Sequence, residues 1–250
     1  MASINHMSAI LQRHKIWDRT TRIFHWVNAV TVLSLIFIGL LIINTKMFGI
    51  TGDAKILLKT IHVYIGYVFA INVVWRLVWA FTGNHYARWP QFLPLGKTYL
   101  SSLKSYLCSL CSGNRQQYLG HNPAARLIVS LFFLLLSMQA ITGLVLASTD
   151  LYMPPFGNFI AEWVTEGDPV RLQALKPGDK TQVVESAYKE MRSFRDPFIE
   201  IHEFGFYALA ILVLLHIIVV IVTEIKEKNG LISAMVTGEK ILDDEPQDKD

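Results

Sequence analysis

Ile201-His202-Glu203-Phe204-Gly205-Phe206-Tyr207-Ala208-Leu209-Ala210-Ile211-Leu212-Val213-Leu214-Leu215-His216-Ile217-Ile218-Val219-Val220-Ile221-Val222 decides how this chain is read. From Phe204 to Val222 it contains no Asp, Glu, Lys or Arg, and its length matches the roughly 20 residues a helix needs to cross ~30 Å of hydrocarbon. In such a medium an ionisable side chain is costly and marks a functional position by default. Yet one histidine opens this run and another lies inside it. His216 follows His202 by fourteen residues; at about 100° per residue this is within about 40° of four full turns, so both share one helix face, roughly 21 Å apart along the axis.

Three further stretches have the same character, Trp26 to Ile43, Ile61 to Phe81 and Ala125 to Ala147, so four spans are expected. Composition agrees: 52% of the 250 residues are hydrophobic and 17% charged, against roughly 25% charged in soluble domains. The net charge of +3, with no basic cluster interleaved with aromatics, excludes a nucleic-acid partner. Cys108 and Cys111 lack the adjacent histidine of a c-type haem attachment and the second pair of a zinc site; they read as small apolar residues on an interfacial helix. The expected fold class is therefore an all-α integral membrane protein, a four-transmembrane-helix bundle in contact with lipid, with an extramembrane cap formed by the insertion 148–201 between helices three and four. A surface helix is expected near 98–111 and another over about 181–193, and Gly167-Asp168-Pro169 reads as a turn. Residues 1–240 form one membrane domain, and 241–250 form a disordered acidic tail. The opening residues, with His6, Arg13, His14 and Lys15, build no apolar core, so no cleavable signal peptide is expected.

Basic residues set the orientation. Arg13, Lys15, Arg19 and Arg22 precede the first span, Arg88, Lys97, Lys104 and Arg115 lie in the second connection, and Lys226, Lys228 and Lys240 follow the last span. Lys46, Lys55 and Lys59 stand on the opposite side. Both termini are placed in the cytoplasm, and the long insertion outside, where segments of that length translocate largely regardless of charge.

With that threading, His25 enters at the inner end of the first span and His62 opens the second at the outer end, while His202 is outer and His216 inner. The histidines then match in depth as His25/His216 and His62/His202. Two bis-histidine sites at two depths suit a pair of haems, whose irons take an imidazole on each face; zinc or copper would gather three or four ligands at one depth. Histidines that only pack, or that relay protons, are the alternatives. Gly39 lies fourteen residues after His25, and Arg76 fourteen after His62, so each reaches the level of the other pair. Gly39 would let a planar ring approach the backbone or serve helix packing. Arg76 would pair with a haem propionate or snorkel to the interface. Gly66 and Gly205, each within a turn of an outer histidine, would make room for a ring or pack. Gln139 and Thr142 inside helix three point to interhelical hydrogen bonding, with a quinone contact as the alternative. Trp75 to Phe81 and Trp89 read as interfacial belts.

These residues resemble the bacterial cytochrome b561 and nickel–iron hydrogenase b-type cytochrome family. The likeness rests on Thr21-Arg22-Ile23-Phe24-His25-Trp26, Ile61-His62, Trp75-Arg76-Leu77-Val78-Trp79-Ala80-Phe81-Thr82-Gly83-Asn84, Ala87-Arg88-Trp89, Gly120-His121-Asn122-Pro123, Ile141-Thr142-Gly143, Ile201-His202-Glu203 and Met235-Val236-Thr237-Gly238. It implies two haem b groups on His25, His62, His202 and His216. It further implies electron exchange in the bacterial inner membrane between quinone and a periplasmic partner, a hydrogenase small subunit or a c-type cytochrome. Substrate chemistry then belongs to the partner, and no catalytic residue is assigned here. A stand-alone cytochrome b561, acting as a quinone-linked superoxide oxidase or small-molecule oxidoreductase, is the alternative, and an anchor whose haems serve assembly is a third reading. The stretch 148–201 is longer than the resemblance leads one to expect.

Overall fold

A computed structural model describes residues 12–112, 116–227, 230–242 and 246–248. In chain order the elements are β1 (Gln12–Lys15), α1 (Arg19–Ile43), α2 (Gly52–Thr82), a 3-10 turn (His85–Ala87), α3 (Trp89–Phe92), α4 (Tyr99–Ser112), α5 (Pro123–Leu151), α6 (Gly157–Thr165), α7 (Pro169–Ala174), α8 (Glu185–Glu227), α9 (Leu231–Thr237) and β2 (Glu239–Leu242). Among the described residues four helices, α1, α2, α5 and α8, are long and apolar enough to cross a membrane. They contain the four expected runs and extend past each of them. The reason is physical: hydropathy marks where a helix meets lipid, whereas its ends are set by caps. Asp18 Oδ1 accepts from the Thr21 amide at 2.6 Å ahead of α1. Asn122 Oδ1 accepts from the Ala125 amide at 2.7 Å, with Pro123 beginning α5 where its missing N–H costs nothing. The helix expected over 181–193 and the fourth span are one 43-residue helix, which continues through Pro197 and a charged stretch between them.

By contact the chain divides into two compact units, one made of residues up to 25, 75–133 and from 213 onward, the other of 26–74 and 134–212. In the first, β1 and β2 pair antiparallel, with Arg13 opposite Ile241 and Lys15 opposite Glu239. The all-α expectation therefore needs amending by one two-stranded ladder. Ile16, Leu119 and Leu242 form a small core beside it, with Trp17 and Tyr86 packed on. Lys240, 7% exposed, donates to the Tyr118 carbonyl at 2.6 Å. The acidic tail, expected to be disordered, is held where it is described. Leu242 closes β2, the Gln247 amide bonds the Gln117 carbonyl at 2.9 Å, and Asp248 accepts from the amides of Leu119 and Gly120 at 2.6 and 2.8 Å. Composition cannot show that a carboxylate has backbone donors waiting for it; residues 243–245 and 249–250 lie outside the described set.

The second unit contains the α5–α8 connection. Ile160, Val164 and Met191 are sealed together, flanked by Tyr152, Trp163, Leu175, Val183 and Tyr188. Asp150 at the end of α5 accepts from both Arg195 and Lys59. Burial, then the neighbouring Tyr188 and Asp150, push the Tyr152 phenol up to about 12. The Gly167-Asp168-Pro169 turn doubles as a helix start: Asp168 Oδ1 accepts from the Val170 amide at 2.8 Å and Pro169 opens α7.

In the first unit His121 packs against Trp17, ring centres 5.0 Å apart, and its Nδ1 is sealed from solvent. Burial, and then the cations Lys240, Arg76 and Arg126, hold its pKa down to about 3 from 6.5. The unfolded chain thus takes up this proton before the folded one does. Stability is full above about 6.5 and falls progressively as pH drops from there toward 3. Thermal melts across the upper part of that window are expected to show an acid decline that His121→Gln flattens.

Candidate cofactor sites

In the second unit α2 carries His62 and α8 carries His202, and the fold brings their rings to 6.4 Å between centres, with planes 75° apart. Both line an apolar cavity of about 80 Å³, with Ile36, Gly66, Gly143 and Phe206 also in its wall. His202 is oriented by α5. The Thr142 hydroxyl donates to the Met138 carbonyl at 2.8 Å, which leaves its oxygen to accept from His202 Nδ1, also at 2.8 Å. Gln139 Nε2 donates to the His202 carbonyl at 3.0 Å. Nε2 of His202 is the nitrogen left for a ligand. These bonds are the interhelical role expected of Gln139 and Thr142.

The dimensions can be tested against an iron held between two imidazoles. Two in-line metal–nitrogen bonds of about 2.0 Å, plus about 1.15 Å from each nitrogen to its ring centre, require roughly 6.3 Å between centres, against the 6.4 Å found. No group of three or more His, Cys, Asp or Glu able to hold a metal occurs among the described residues. The residues present fit a bis-histidine haem.

The glycines divide. A Cβ on Gly66 would meet nothing within 4 Å, so this position opens the cavity. On Gly39 it would lie 3.3 Å from the Phe206 ring and 3.9 Å from His62 Cε1, and on Gly143 it would lie 3.3 Å from His202 Cε1. Gly205 behaves otherwise: its Cβ would run into the end of the Met138 side chain and stand 3.1 Å from Gln139 Nε2, so it serves the packing of α8 on α5.

His25 and His216 both lie in the first unit. His216 stands edge-on to Phe132 at 5.5 Å. Arg76 belongs to the same unit and is 3% exposed, so it does not snorkel. Its guanidinium sits 5.7, 5.3 and 5.2 Å from the ring centres of Phe24, Phe92 and Phe133, and its Nη1 has no hydrogen-bond partner among the described residues. That buried donor is what an incoming carboxylate, such as a propionate, would use.

Sequence reasoning did not identify Gly143, Phe206 or the Phe24/Phe92/Phe133 cage. The Thr142-Gly143 pair carried a signal, a hydroxyl followed by a gap in an apolar helix. Phe92 carried none, since it lies outside the periodic segments.

Comparison with known proteins gives consistent results. A family model described as prokaryotic cytochrome b561 matches residues 16–238. A probable Ni/Fe-hydrogenase B-type cytochrome subunit of Bradyrhizobium diazoefficiens is 25% identical over 90% of this chain and 85% of its own length. One from Rhizobium leguminosarum bv. viciae is 24% identical over 98% and 96%. A probable Ni/Fe-hydrogenase 1 B-type cytochrome subunit of Escherichia coli is 27% identical over 58% and 65%. No solved structure matches.

The glycine geometry predicts opposite outcomes in the protein without cofactor. Gly66→Ala should raise the thermal midpoint, because its methyl enters open space and alanine inside α2 is favoured over glycine by about 0.5–1 kcal/mol. Gly205→Val should cost about 1–3 kcal/mol by overpacking, seen as a lower midpoint in the same assay.

Proposed function

Because the chain belongs to the prokaryotic cytochrome b561 family, we propose that it is the membrane electron-transfer subunit of a respiratory complex, holding two b haems and working between a periplasmic redox partner and quinone. The observation that carries this reading is the His62–His202 separation across an apolar cavity. Haem iron, when bound, supplies a one-electron couple; the chain supplies position and field. His62 and His202 would hold the outer group, and His25 and His216 the inner one. Gly66 makes room for the outer ring, with Gly39 and Gly143 close beside its ligands, while Arg76 would meet an inner propionate. Gly205 shapes the outer site indirectly, by leaving room for the ends of the Met138 and Gln139 side chains.

The relatives' printed names favour a hydrogenase as the partner. In this reading the protein resides in the bacterial inner membrane with both termini cytoplasmic. The α5–α8 connection, folded on its own small core, forms the outer cap against which that partner docks.

Haem quantification on the purified variants tests the assignment. His62→Ala or His202→Ala should lose the outer haem and keep the inner, halving the haem per chain, and His25→Ala or His216→Ala should do the reverse. A variant that retains both haems with normal spectra removes its histidine from the ligand set.

Thr142 provides a finer test. Its oxygen accepts from the outer ligand, and such partners raise ligand basicity and hold the ring in place. Thr142→Val should raise the outer haem's midpoint potential, because a less basic imidazole favours the ferric state less, and weaken haem retention by about tenfold or more. The inner potential should not move in the same redox titration.

A further inference from the structure

Helix α4 has three distinct edges. Its tyrosine edge faces inward: Tyr99 and Tyr106 are 8% and 9% exposed. The Tyr99 hydroxyl donates to the Pro123 carbonyl at 2.8 Å, Asn122 Nδ2 donates to the Tyr106 oxygen at 2.9 Å, and the Arg126 guanidinium lies 5.6 Å from the Tyr99 ring centre. All three partners belong to the start of α5 or the residue that caps it. The tether therefore holds α4 at the level where a membrane-length helix begins its apolar run.

The second edge is apolar and open. Leu100, Leu103, Leu107 and Cys111 recur every three or four residues, with Leu100 75% and Leu107 48% exposed and Cys111 exposed. The third edge carries Ser101, Ser105 and Ser112, also exposed. No Asp or Glu occurs on α4, while Lys97 and Lys104 flank the leucine edge. On α5, within two turns of the tether, Leu127 and Leu131 are exposed as well.

We propose that the leucine edge of α4 is a lipid-binding surface that lies in the headgroup–acyl border of the bilayer, with Lys97 and Lys104 against anionic phosphate headgroups and the serine edge in water. Three observations select lipid as the occupant. The tether fixes the depth, the cationic flank without a countercharge complements anionic lipid, and the apolar surface continues onto a span. A helix with an apolar face and lysines at its border is the arrangement that lies along a membrane surface. The proposal rests on the membrane spans and is independent of the haem assignment.

Cys108 and Cys111 are the chain's two thiols, which makes a direct test available. Full-length Cys108→Ser, leaving Cys111 on the apolar edge, is labelled with an environment-sensitive fluorophore. It is compared with Cys108→Ser/Cys111→Ser/Ser105→Cys, labelled on the serine edge. Both are placed in phosphatidylcholine vesicles with and without phosphatidylglycerol. The label at position 111 should be blue-shifted, quenched by lipids spin-labelled near the headgroup, and several-fold less accessible to aqueous iodide than the label at 105. Lys104→Glu should abolish any extra blue shift that phosphatidylglycerol confers. Equal iodide quenching at the two positions overturns the proposal, as does protection of position 111 that arises only when a partner protein is added. A shift indifferent to lipid charge overturns the headgroup contact.

Discussion

An imidazole placed among hydrocarbon has to be neutral, oriented and partnered, because there is no water to satisfy its nitrogens. Much of the second unit follows from that requirement. Thr142 donates its hydroxyl hydrogen bond to the Met138 carbonyl and so presents its oxygen to His202 Nδ1, and Gln139 pins the backbone of the same residue. Gly205 leaves room for the ends of the Met138 and Gln139 side chains, which a side chain at that position would have to displace. His202 and His62 line the same cavity, their ring centres 6.4 Å apart.

What could be read from the sequence was whatever repeats along a helix. Apolar runs of spanning length gave the four helices, and a fourteen-residue spacing put histidines on common faces. The features that escaped join residues far apart in the chain. Gln12–Lys15 and Glu239–Leu242 are too short and polar to read as strands alone; each acquires its partner only because the fold brings the two ends together. Asp248 looked like part of a solvated tail until the amides of Leu119 and Gly120 met it. Phe92 sits on a four-residue helix in a connection, yet completes the ring cage around Arg76. Arg76 itself was marked by its depth in an apolar helix, but only the cage separates a buried cation from one that snorkels.

Low overall identity and a family match over residues 16–238 are compatible on the same grounds. At 24–25% identity most lipid-facing positions are free to exchange one apolar residue for another, because the bilayer does not distinguish them. The positions that cannot drift so freely are those with a specific neighbour: histidines that face each other, a glycine under a ring, a capping asparagine.

Under the proposed reading the two pairs differ in ways that act on potential in opposite directions. Thr142 accepts from the outer ligand, which increases that imidazole's basicity and favours the oxidised metal. Arg76, a buried cation packed beside Phe24, the residue before His25, would favour the reduced metal if it meets the inner group. The first influence lowers the outer potential and the second raises the inner one. In that reading both side chains would favour movement of an electron from the outer group to the inner one, and neither would exchange electrons itself.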